Sequence, residues 1–301
     1  MTNQFTVACI QTNSGRDIAP NLETVGGLVR RARDAGADFI ATPECVTMME
    51  PDNALMREKA PAERGHPAIS AFGGLAKETE AWLLAGSLSV KRSDGKIANR
   101  SYLFDPTGRV VATYDKIHMF DVEIGDGQTY RESATFEPGT EAVLADLPWG
   151  RLGLSICYDV RFPHLYRALA KDGADFLAVP AAFTKVTGTA HWHVLLRARA
   201  IETGCFVIAP AQCGTHAEGR QTYGHSLVVD PWGEVLADGG EDVGFVTAQI
   251  DPDKVDEARR KLPSLSHDRP FSIDRGAYPE DGGKVRVLRP KGPNDKTRRR
   301  G

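Results

Sequence analysis

The 301-residue sequence has few cysteines, no long apolar run and almost no net charge. Its five cysteines are odd in number and lack C-x-x-C spacing, which argues against a disulfide framework and against a zinc site. No run approaches the roughly 18 apolar residues of a membrane span, and the N-terminus lacks a basic segment followed by a long apolar stretch. A formal net charge of -3 gives no reason to expect a nucleic-acid or membrane partner. We therefore expect a soluble, cytoplasmic protein.

Nucleotide-binding motifs and linkers are also missing. No G-x-x-x-x-G-K-[ST] or G-x-G-x-x-G sequence follows a strand-like segment, so nucleotide binding has no support. Between about residues 5 and 262 the sequence has no Ser/Gly linker, low-complexity tract or internal repeat. We predict one domain over residues 1–270. Residues 271–301, rich in Pro, Gly and basic residues, are predicted to be an extension that is partly mobile or contacts another subunit.

Short apolar runs alternate with amphipathic stretches along most of the chain. The runs "FTVACIQT", "ADFIATPE" and "RLGLSIC" are typical of buried strands. The stretches "NLETVGGLVRRARDAG" and "TAHWHVLLRARAIETG" are typical of helices that end at a glycine. Fully apolar strands interleaved with helices predict an α/β or α+β fold whose sheets are covered by helices. The segment before "RLGLSIC" is predicted to be a loop.

Three chemically active residues follow strand-like runs: Glu44 after "ADFIATP", Lys116 after "VVATYD" and Cys157 after "RLGLSI". The carboxyl ends of strands are where open α/β sheets build their sites. Each residue alone is compatible with a structural role. Together they supply a nucleophilic thiol, a base and a fixed positive charge, the set needed to attack an amide or nitrile carbon. The turn after Cys157 also places the backbone N–H of Tyr158 where it can donate to the oxyanion that forms when the thiol attacks the amide or nitrile carbon.

The motifs "TPECV", "YDKIHMFDV" and "ICYDVRFP", in that order, resemble the Glu-Lys-Cys signature of the nitrilase superfamily of carbon-nitrogen hydrolases. The resemblance runs from about residue 5 to 270. It implies that Glu44 is the general base, Lys116 the oxyanion stabiliser and Cys157 the nucleophile, with Glu132 in "YRES" as a second glutamate that orients Lys116. It also implies a four-layer αββα sandwich that forms a homodimer or a higher oligomer, and a reaction that needs no metal or organic cofactor.

The stretches "CYDVRFP", "AHWHVLLRARAIETGCFVIAPAQCG" and "YGHSLVVDPWG" are similar to the branch of the superfamily that contains deaminated-glutathione amidases and omega-amidases. Substrates of this branch carry a carboxylate, and Arg161, one helical turn beyond Cys157, is a candidate to hold it. An ion pair with Asp159 or another acid is the competing role for Arg161. Phe183 and Thr184, which follow a further strand, are predicted on the same rim, where Phe183 contacts the substrate or closes the core.

The histidines are weaker candidates. His191 and His193 are two residues apart on a predicted helix, so they face different ways and make a poor metal pair. The spacing does not exclude His118 as a base beside Cys157, but the sequence offers it no evident orienting Asn or Asp. His225 in "GHS" is predicted to be a satisfied core residue.

The sequence thus predicts a thiol amidohydrolase that converts a carboxylate-bearing amide into an acid and ammonia through a thioester at Cys157. Deaminated glutathione is the first substrate candidate. The alternatives are 2-oxo acid omega-amides, other aliphatic amides or nitriles, and transfer of the acyl group to an amine. A non-catalytic binding protein on the same fold is the alternative from another class. Since the triad is common to the whole superfamily, the sequence does not choose the substrate.

Overall fold

The computed structural model describes residues 4–125, 129–273 and 288–289. In chain order its α-helices are α1 (Ile18–Asp34), α2 (Asn53–Lys59), α3 (Pro67–Thr79), α4 (Pro163–Lys171), α5 (Lys185–Thr203) and α6 (Asp253–Lys261). Its strands are β1 (Phe5–Gln11), β2 (Phe39–Ala41), β3 (Trp82–Lys91), β4 (Ile97–Phe104), β5 (Val110–Asp115), β6 (Asp121–Glu123), β7 (Thr129–Arg131), β8 (Val143–Leu147), β9 (Gly150–Leu154), β10 (Phe176–Ala178), β11 (Phe206–Ala209), β12 (Cys213–Thr215), β13 (Gln221–Tyr223), β14 (Leu227–Val229), β15 (Val235–Asp238), β16 (Gly244–Ile250), β17 (Ser272–Ile273) and β18 (Leu288–Arg289).

Two six-stranded mixed sheets form the centre of the protein. The first has the strand order β16-β1-β2-β3-β4-β5, and the second has the order β15-β14-β11-β10-β9-β8. Strands β1, β2 and β3 are parallel to one another, as are β9, β10 and β11. Strand β5 runs in the direction of β3, because both are antiparallel to β4. The strands β2 and β5, which precede Glu44 and Lys116, therefore run in the same direction within the first sheet, and β9, which precedes Cys157, runs parallel to β10 and β11 in the second.

The two sheets pack face to face, and helices cover their outer faces. Along β1, Val7 and Cys9 belong to a core shared with Leu154 and Phe206 of the second sheet. The alternate residues of the same strand belong to a second core under α1 and α3. Helices α4 and α5 contribute to the first core from the far side of the second sheet. This is the predicted αββα arrangement, in which strands are apolar throughout because both faces are buried.

The predicted strands and helices are found with their ends shifted by a few residues, and the structure adds elements that the pattern did not reveal. The segment before "RLGLSIC" is not wholly a loop, since β8 pairs antiparallel with β9 across the residues Pro148 and Trp149. Helix α2 was also unpredicted, and it begins where the Asp52 carboxylate accepts hydrogen bonds from two backbone N–H groups. Most of the predicted extension, residues 274–287 and 290–301, lies outside the described residues. Within the described part, no helix has the length and apolar character needed to cross a membrane.

Candidate active site

The three candidate catalytic residues come together at one edge of the two sheets. Glu44 lies three residues beyond β2, Lys116 directly follows β5, and Cys157 lies three residues beyond β9. All three line one cavity of about 560 Å³. They are nearly inaccessible to solvent: Glu44 is 4% exposed, Lys116 2% and Cys157 7%. The structure thus brings together the residues that the sequence predicted as one site.

The loops that carry these residues approach each other closely because of a glycine in β3. A Cβ atom on Gly86 would lie 1.9 Å from the carbonyl oxygen of Thr42 and 2.6 Å from Cβ of Pro180. Only a residue without a side chain leaves room for both loops. The N–H of Cys157 donates to the carbonyl oxygen of Pro180 at 2.9 Å, so the loop after β9 is tied to the loop after β10. Gly86 therefore allows Glu44, two residues after Thr42, to lie beside the loop that holds Cys157.

Lys116 is held between two carboxylates. Its Nζ donates to Oε1 of Glu44 at 2.9 Å and to both carboxylate oxygens of Glu132, at 3.0 and 2.8 Å. The N–H of Phe120 donates to Oε2 of Glu132 at 2.7 Å and fixes that carboxylate. The predicted position of Glu132 next to Lys116 is therefore what the structure has.

Asn99, a residue the sequence analysis did not select, joins the two carboxylates. Its Nδ2 donates to Oε1 of Glu44 at 3.0 Å and to Oε1 of Glu132 at 3.1 Å. It lies in β4 and is 3% exposed. The available signal was an amide side chain inside the otherwise apolar start of "IANRSYLF", because a buried polar group needs partners.

The charges of the cluster follow from these contacts. Burial alone would raise the pKa of Glu44, but the Lys116 ammonium and the N–H of Ala182, 2.9 Å from Oε2, hold that pKa below its usual value. Burial opposes the charged form of Lys116 as well, yet Glu132 and Glu44 keep its pKa well above the usual range. At neutral pH the site therefore holds a carboxylate at Glu44 and an ammonium at Lys116.

The thiol of Cys157 is protonated in this environment. Burial and the negative charge of Glu44 raise the pKa of Cys157 well above its usual value, and Lys116 offsets only part of that rise. A protonated thiol next to a carboxylate is suited to proton transfer during attack, and not to storing a thiolate. Cys45 also lines the cavity, and burial raises its pKa to about 12.

The backbone at Cys157 is a strained turn. Its φ of 48° is in the left-handed region, which costs a residue with a side chain about 1 kcal/mol or more. The carboxylate of Asp159 stabilises the turn by accepting hydrogen bonds from the N–H of Ile156 at 2.8 Å and from the hydroxyl of Tyr114 at 2.7 Å. The chain then enters α4 at Pro163. The turn predicted after Cys157 is present.

His118 has the orienting carboxylate that the sequence did not reveal. Its Nδ1 is 2.7 Å from Oδ1 of Asp159, and its ring stacks on Phe162 with centroids 3.6 Å apart. The expectation that His118 lacks an Asp partner is wrong. The contact anchors the turn after Cys157, and the described cavity lining contains Glu44 and Lys116 with the thiol but does not include His118.

The predicted substrate-binding residues divide into two groups. Tyr158, Phe183 and Thr184 line the cavity. Phe183 also packs on Trp192 with centroids 5.0 Å apart, so it both faces the cavity and closes the core. The Thr184 hydroxyl accepts a hydrogen bond from the N–H of Thr187 and caps α5. These three predicted positions are on the rim of the cavity.

Arg161 lies behind the rim. Its guanidinium is over the rings of Tyr158 and Phe183, at 5.8 and 5.1 Å from their centroids, and Nη1 is 3.3 Å from Nδ1 of His191. It is not among the residues that line the cavity. The geometry therefore gives no support to direct carboxylate binding by Arg161, and the alternative partner Asp159 is engaged by the turn instead. Residues 157–161 form a 3-10 turn, which puts positions four apart roughly 120° away from each other around the axis.

A second group of ionisable residues lies away from the cavity. Asp238 accepts from Nδ1 of His225 at 2.8 Å and contacts Nε2 of His193 at 3.1 Å, and the three ligand atoms lie within 4.8 Å of one another. Hydrogen bonding accounts for these distances. The His225 side chain is 20% exposed, so its predicted location in the core is wrong, although its Nδ1 has a hydrogen-bond partner in Asp238.

Comparison with known proteins agrees with this architecture. Residues 6–260 match the model of the carbon-nitrogen hydrolase family. A deaminated glutathione amidase of Synechocystis is 42% identical over 267 residues, 87% of this chain and 97% of that protein. The human deaminated glutathione amidase is 43% identical over 271 residues, 88% of this chain and 82% of that protein.

Two solved structures are also similar. The NitFhit protein of C. elegans has a TM-score of 0.83 at 40% identity over 89% of this chain, which spans 66% of that longer protein. Saccharomyces cerevisiae Nit3, a member of branch 10 of the nitrilase superfamily, has a TM-score of 0.78 at 28% identity, with 86% of this chain and 94% of that chain covered. The chain belongs to the carbon-nitrogen hydrolase family of the nitrilase superfamily, and it is a hydrolase acting on carbon–nitrogen bonds.

Proposed function

We propose that residues 1–270 form a thiol amidohydrolase that cleaves a carboxylate-bearing amide through a thioester at Cys157, with deaminated glutathione as the substrate. The observation that carries the proposal is the contact set of Glu44, Lys116 and Cys157 in one cavity. The relatives named deaminated glutathione amidase, 40 to 43% identical over most of the chain, support the choice of substrate.

In the first half-reaction Glu44 is the general base. Sγ of Cys157 attacks the amide carbon while the thiol proton passes to the Glu44 carboxylate. The ammonium of Lys116 and the N–H of Tyr158 stabilise the oxyanion of the tetrahedral intermediate. Glu44 returns the proton to the leaving nitrogen, the C–N bond breaks, and the acyl group remains on Cys157 as a thioester.

In the second half-reaction water takes the place of the amine. Glu44 accepts a proton from water as its oxygen attacks the thioester carbon, and the same oxyanion contacts stabilise the second intermediate. The C–S bond then breaks, Cys157 recovers its proton, and the acid leaves. Glu132 and Asn99 hold Lys116 and Glu44 in place and are positioning residues. In this cycle the protons are carried by Glu44 and Cys157, and water is the one further reactant besides the amide.

The nitrogen product depends on the substrate. The amide bonds of deaminated glutathione are secondary, so its hydrolysis releases an amine, cysteinylglycine, together with 2-oxoglutarate. Release of ammonia, expected from the sequence, applies to primary amides such as the 2-oxo acid omega-amides. The identity of the nitrogen product therefore separates the two candidate substrates.

The test offers purified protein deaminated glutathione, 2-oxoglutaramate and 2-oxosuccinamate, and measures both the acid and the nitrogen product. A preference for deaminated glutathione that is lost in Cys157→Ala supports the proposal, provided that circular dichroism shows the variant folded. Preference for the small amides makes the protein an omega-amidase. Turnover that persists in Cys157→Ala excludes the thioester.

Two further alternatives have their own readouts. Formation of a hydroxamate when hydroxylamine is added measures transfer of the acyl group to an amine in competition with water. No turnover of any amide, with a Cys157 thiol that does not react with iodoacetamide, supports a non-catalytic protein. The five cysteines are all free thiols, which favours a reducing compartment such as the cytoplasm.

We further propose that two chains associate through α5. Val186, Val194 and Ile201 lie on one face of that helix and are 52%, 68% and 45% exposed. Trp232, 60% exposed, lies in the adjacent turn, where Arg197 of α5 donates to the carbonyl oxygen of Gly233. Exposed apolar side chains this close together are typical of an interface.

Light scattering tests the dimer by comparing the measured mass with twice the 32.7 kDa chain. Val194→Asp is expected to give the monomer, because it introduces a charge into the centre of the patch. Val243→Asp is the matched control, since Val243 is 49% exposed outside this helix. A monomeric parent protein, or an unchanged mass of Val194→Asp, contradicts the proposal.

A further inference from the structure

Arg220 is a cation in the wall of the catalytic cavity that the sequence analysis did not select. It follows a short 3-10 turn (Ala217–Gly219) and precedes β13. Its carbonyl oxygen accepts from the N–H of His216 at 2.8 Å. Two residues further on, Thr222 pairs with Thr184. The backbone on both sides of Arg220 is therefore fixed to the frame of the cavity.

The guanidinium is close to the catalytic groups. Nη2 donates to the carbonyl oxygen of Ala182 at 3.1 Å, and the N–H of the same Ala182 donates to Oε2 of Glu44 at 2.9 Å. A single residue thus connects Arg220 to the base. The guanidinium carbon also lies 5.6 Å from the centroid of the Tyr130 ring.

Arg220 lacks an anionic partner among the described residues. No carboxylate in that part of the chain lies within 4.0 Å of its nitrogens, and its buried Nε has no hydrogen-bond partner there. A buried N–H of a charged group without an acceptor costs free energy. An anionic ligand in the cavity would supply both the missing charge and the missing acceptor.

The acids of the cavity wall are already paired with other cations. Glu44 and Glu132 share Lys116. Glu50 contacts Lys59 at 3.0 Å, and Glu218 contacts Arg16. Glu44, Glu132 and Lys116 together keep one negative charge, but none of these four described carboxylates lies within 4.0 Å of Arg220.

The other cation of the wall differs in this respect. Arg131 contacts Glu123 at 2.8 Å, so its charge is compensated. His216, which also lines the cavity, adds no positive charge at neutral pH, because burial lowers its pKa. Among the described residues, Arg220 is therefore the wall cation that has no carboxylate contact, which leaves it free to bind an anionic ligand.

We propose that Arg220 binds the carboxylate of the substrate and so selects anionic amides over neutral ones. The inference rests on the proposed amidase function and assigns to Arg220 the role that the sequence analysis gave to Arg161. A planar guanidinium binds a carboxylate through two parallel hydrogen bonds, which fixes orientation as well as charge. Anchoring the substrate this close to Glu44 holds its amide carbon near Sγ of Cys157.

The first test compares 2-oxoglutaramate with its neutral methyl ester. In Arg220→Met the ratio of the two kcat/KM values, anionic over neutral, is expected to fall at least about tenfold, the factor that corresponds to ~1.4 kcal/mol. Arg220→Lys should recover part of the ratio, because it keeps the charge but not the fork of donors. Arg131→Met is the matched control, and its ratio should remain that of the parent protein. Equal losses on both substrates, or an unchanged ratio in Arg220→Met, overturn the proposal.

The second test does not require turnover. Iodoacetate and iodoacetamide are similar in size but differ in charge, and both reagents alkylate cysteine thiols. The rate ratio of iodoacetate to iodoacetamide, followed by mass spectrometry of the Cys157 peptide, is expected to fall at least about tenfold in Arg220→Met and to stay constant in Arg131→Met. If the parent protein hydrolyses neither deaminated glutathione nor 2-oxoglutaramate, the proposed function fails, and this ratio still decides whether Arg220 recognises anions. An unchanged ratio in Arg220→Met refutes that recognition.

Discussion

Replacing Glu44 by glutamine is predicted to slow catalysis while making the Cys157 thiol easier to deprotonate. The amide has nearly the shape of the carboxylate but accepts no proton, so the loss of general base catalysis should lower kcat by about 10²–10⁴-fold, or ~2.7–5.4 kcal/mol of barrier. The negative charge of Glu44 raises the pKa of Cys157 and Lys116 lowers it. Removing that negative charge should therefore move the alkylation midpoint of Cys157 to lower pH.

The cost of the same substitution to stability can be worked out from the hydrogen bonds. Oε1 of Glu44 accepts from Lys116 and Asn99, and Oε2 accepts from Ala182. Glutamine has one oxygen, so if it faces Lys116, its NH₂ group faces the N–H of Ala182. One buried donor then lacks an acceptor, which costs about 1–3 kcal/mol. A protein with a typical stability of about 5–15 kcal/mol remains folded after this loss.

The assay measures turnover and, separately, the pH dependence of iodoacetamide labelling at the Cys157 peptide, so that Cys45 does not contribute. Glu218→Gln is the matched control, because Glu218 lines the same cavity but its side chain is 63% exposed. The control should leave both readouts unchanged. A Glu44→Gln variant with full turnover would refute the assignment of the base. An alkylation midpoint that moves to higher pH would refute the electrostatic account of the thiol.

Two further substitutions test the frame around the thiol. Lys116→Met removes the buried cation shared by Glu44 and Glu132, so urea titration should show a free energy of unfolding lower by about 3–5 kcal/mol. The alkylation midpoint of Cys157 should also move to higher pH, because the positive charge that lowers its pKa is gone. An unchanged urea midpoint would contradict the buried ion pairs. Asp159→Ala leaves the buried donors of the turn without their acceptor and should cost about 3–5 kcal/mol in the same titration. Asp172 is exposed, and Asp172→Ala is the control, with a free energy of unfolding expected to change by no more than about 0.5 kcal/mol. Equal effects of the two variants would contradict the role of Asp159.

The features predicted best from the sequence are those that depend on neighbouring residues along the chain. Strands that are apolar on both faces were recognisable because burial on two sides removes the polar alternation. The strands also fix the positions of the residues that follow them within three positions, which are Glu44, Lys116 and Cys157. Strand β8 was not predicted because its buried and exposed residues alternate only partly. Helix α2 was not predicted because a helix of seven residues shows little hydrophobic periodicity.

The residues that were missed or misplaced depend on tertiary geometry. Asn99 faces the site only because β4 has its particular register beside β3 and β5. Arg220 lies at the cavity because β13, which directly follows it, pairs with β12. No local sequence pattern predicted that pairing. Arg161 was assigned from α-helical spacing, whereas the turn after Cys157 is a 3-10 turn that directs the side chain elsewhere.

The catalytic groups come from different sheets, and this links activity to the packing of the sheets. Glu44 and Lys116 follow strands of the first sheet, whereas Cys157 follows a strand of the second. Hydrogen bonds join the two sides: the N–H of Ala182 and the side chain of Gln212, both from the second sheet's loops, donate to Glu44. Burying this cluster is costly unless every charge keeps its partners. The sheets must therefore be fully packed before the base, the cation and the thiol can meet, so loss of packing between them removes catalysis together with stability.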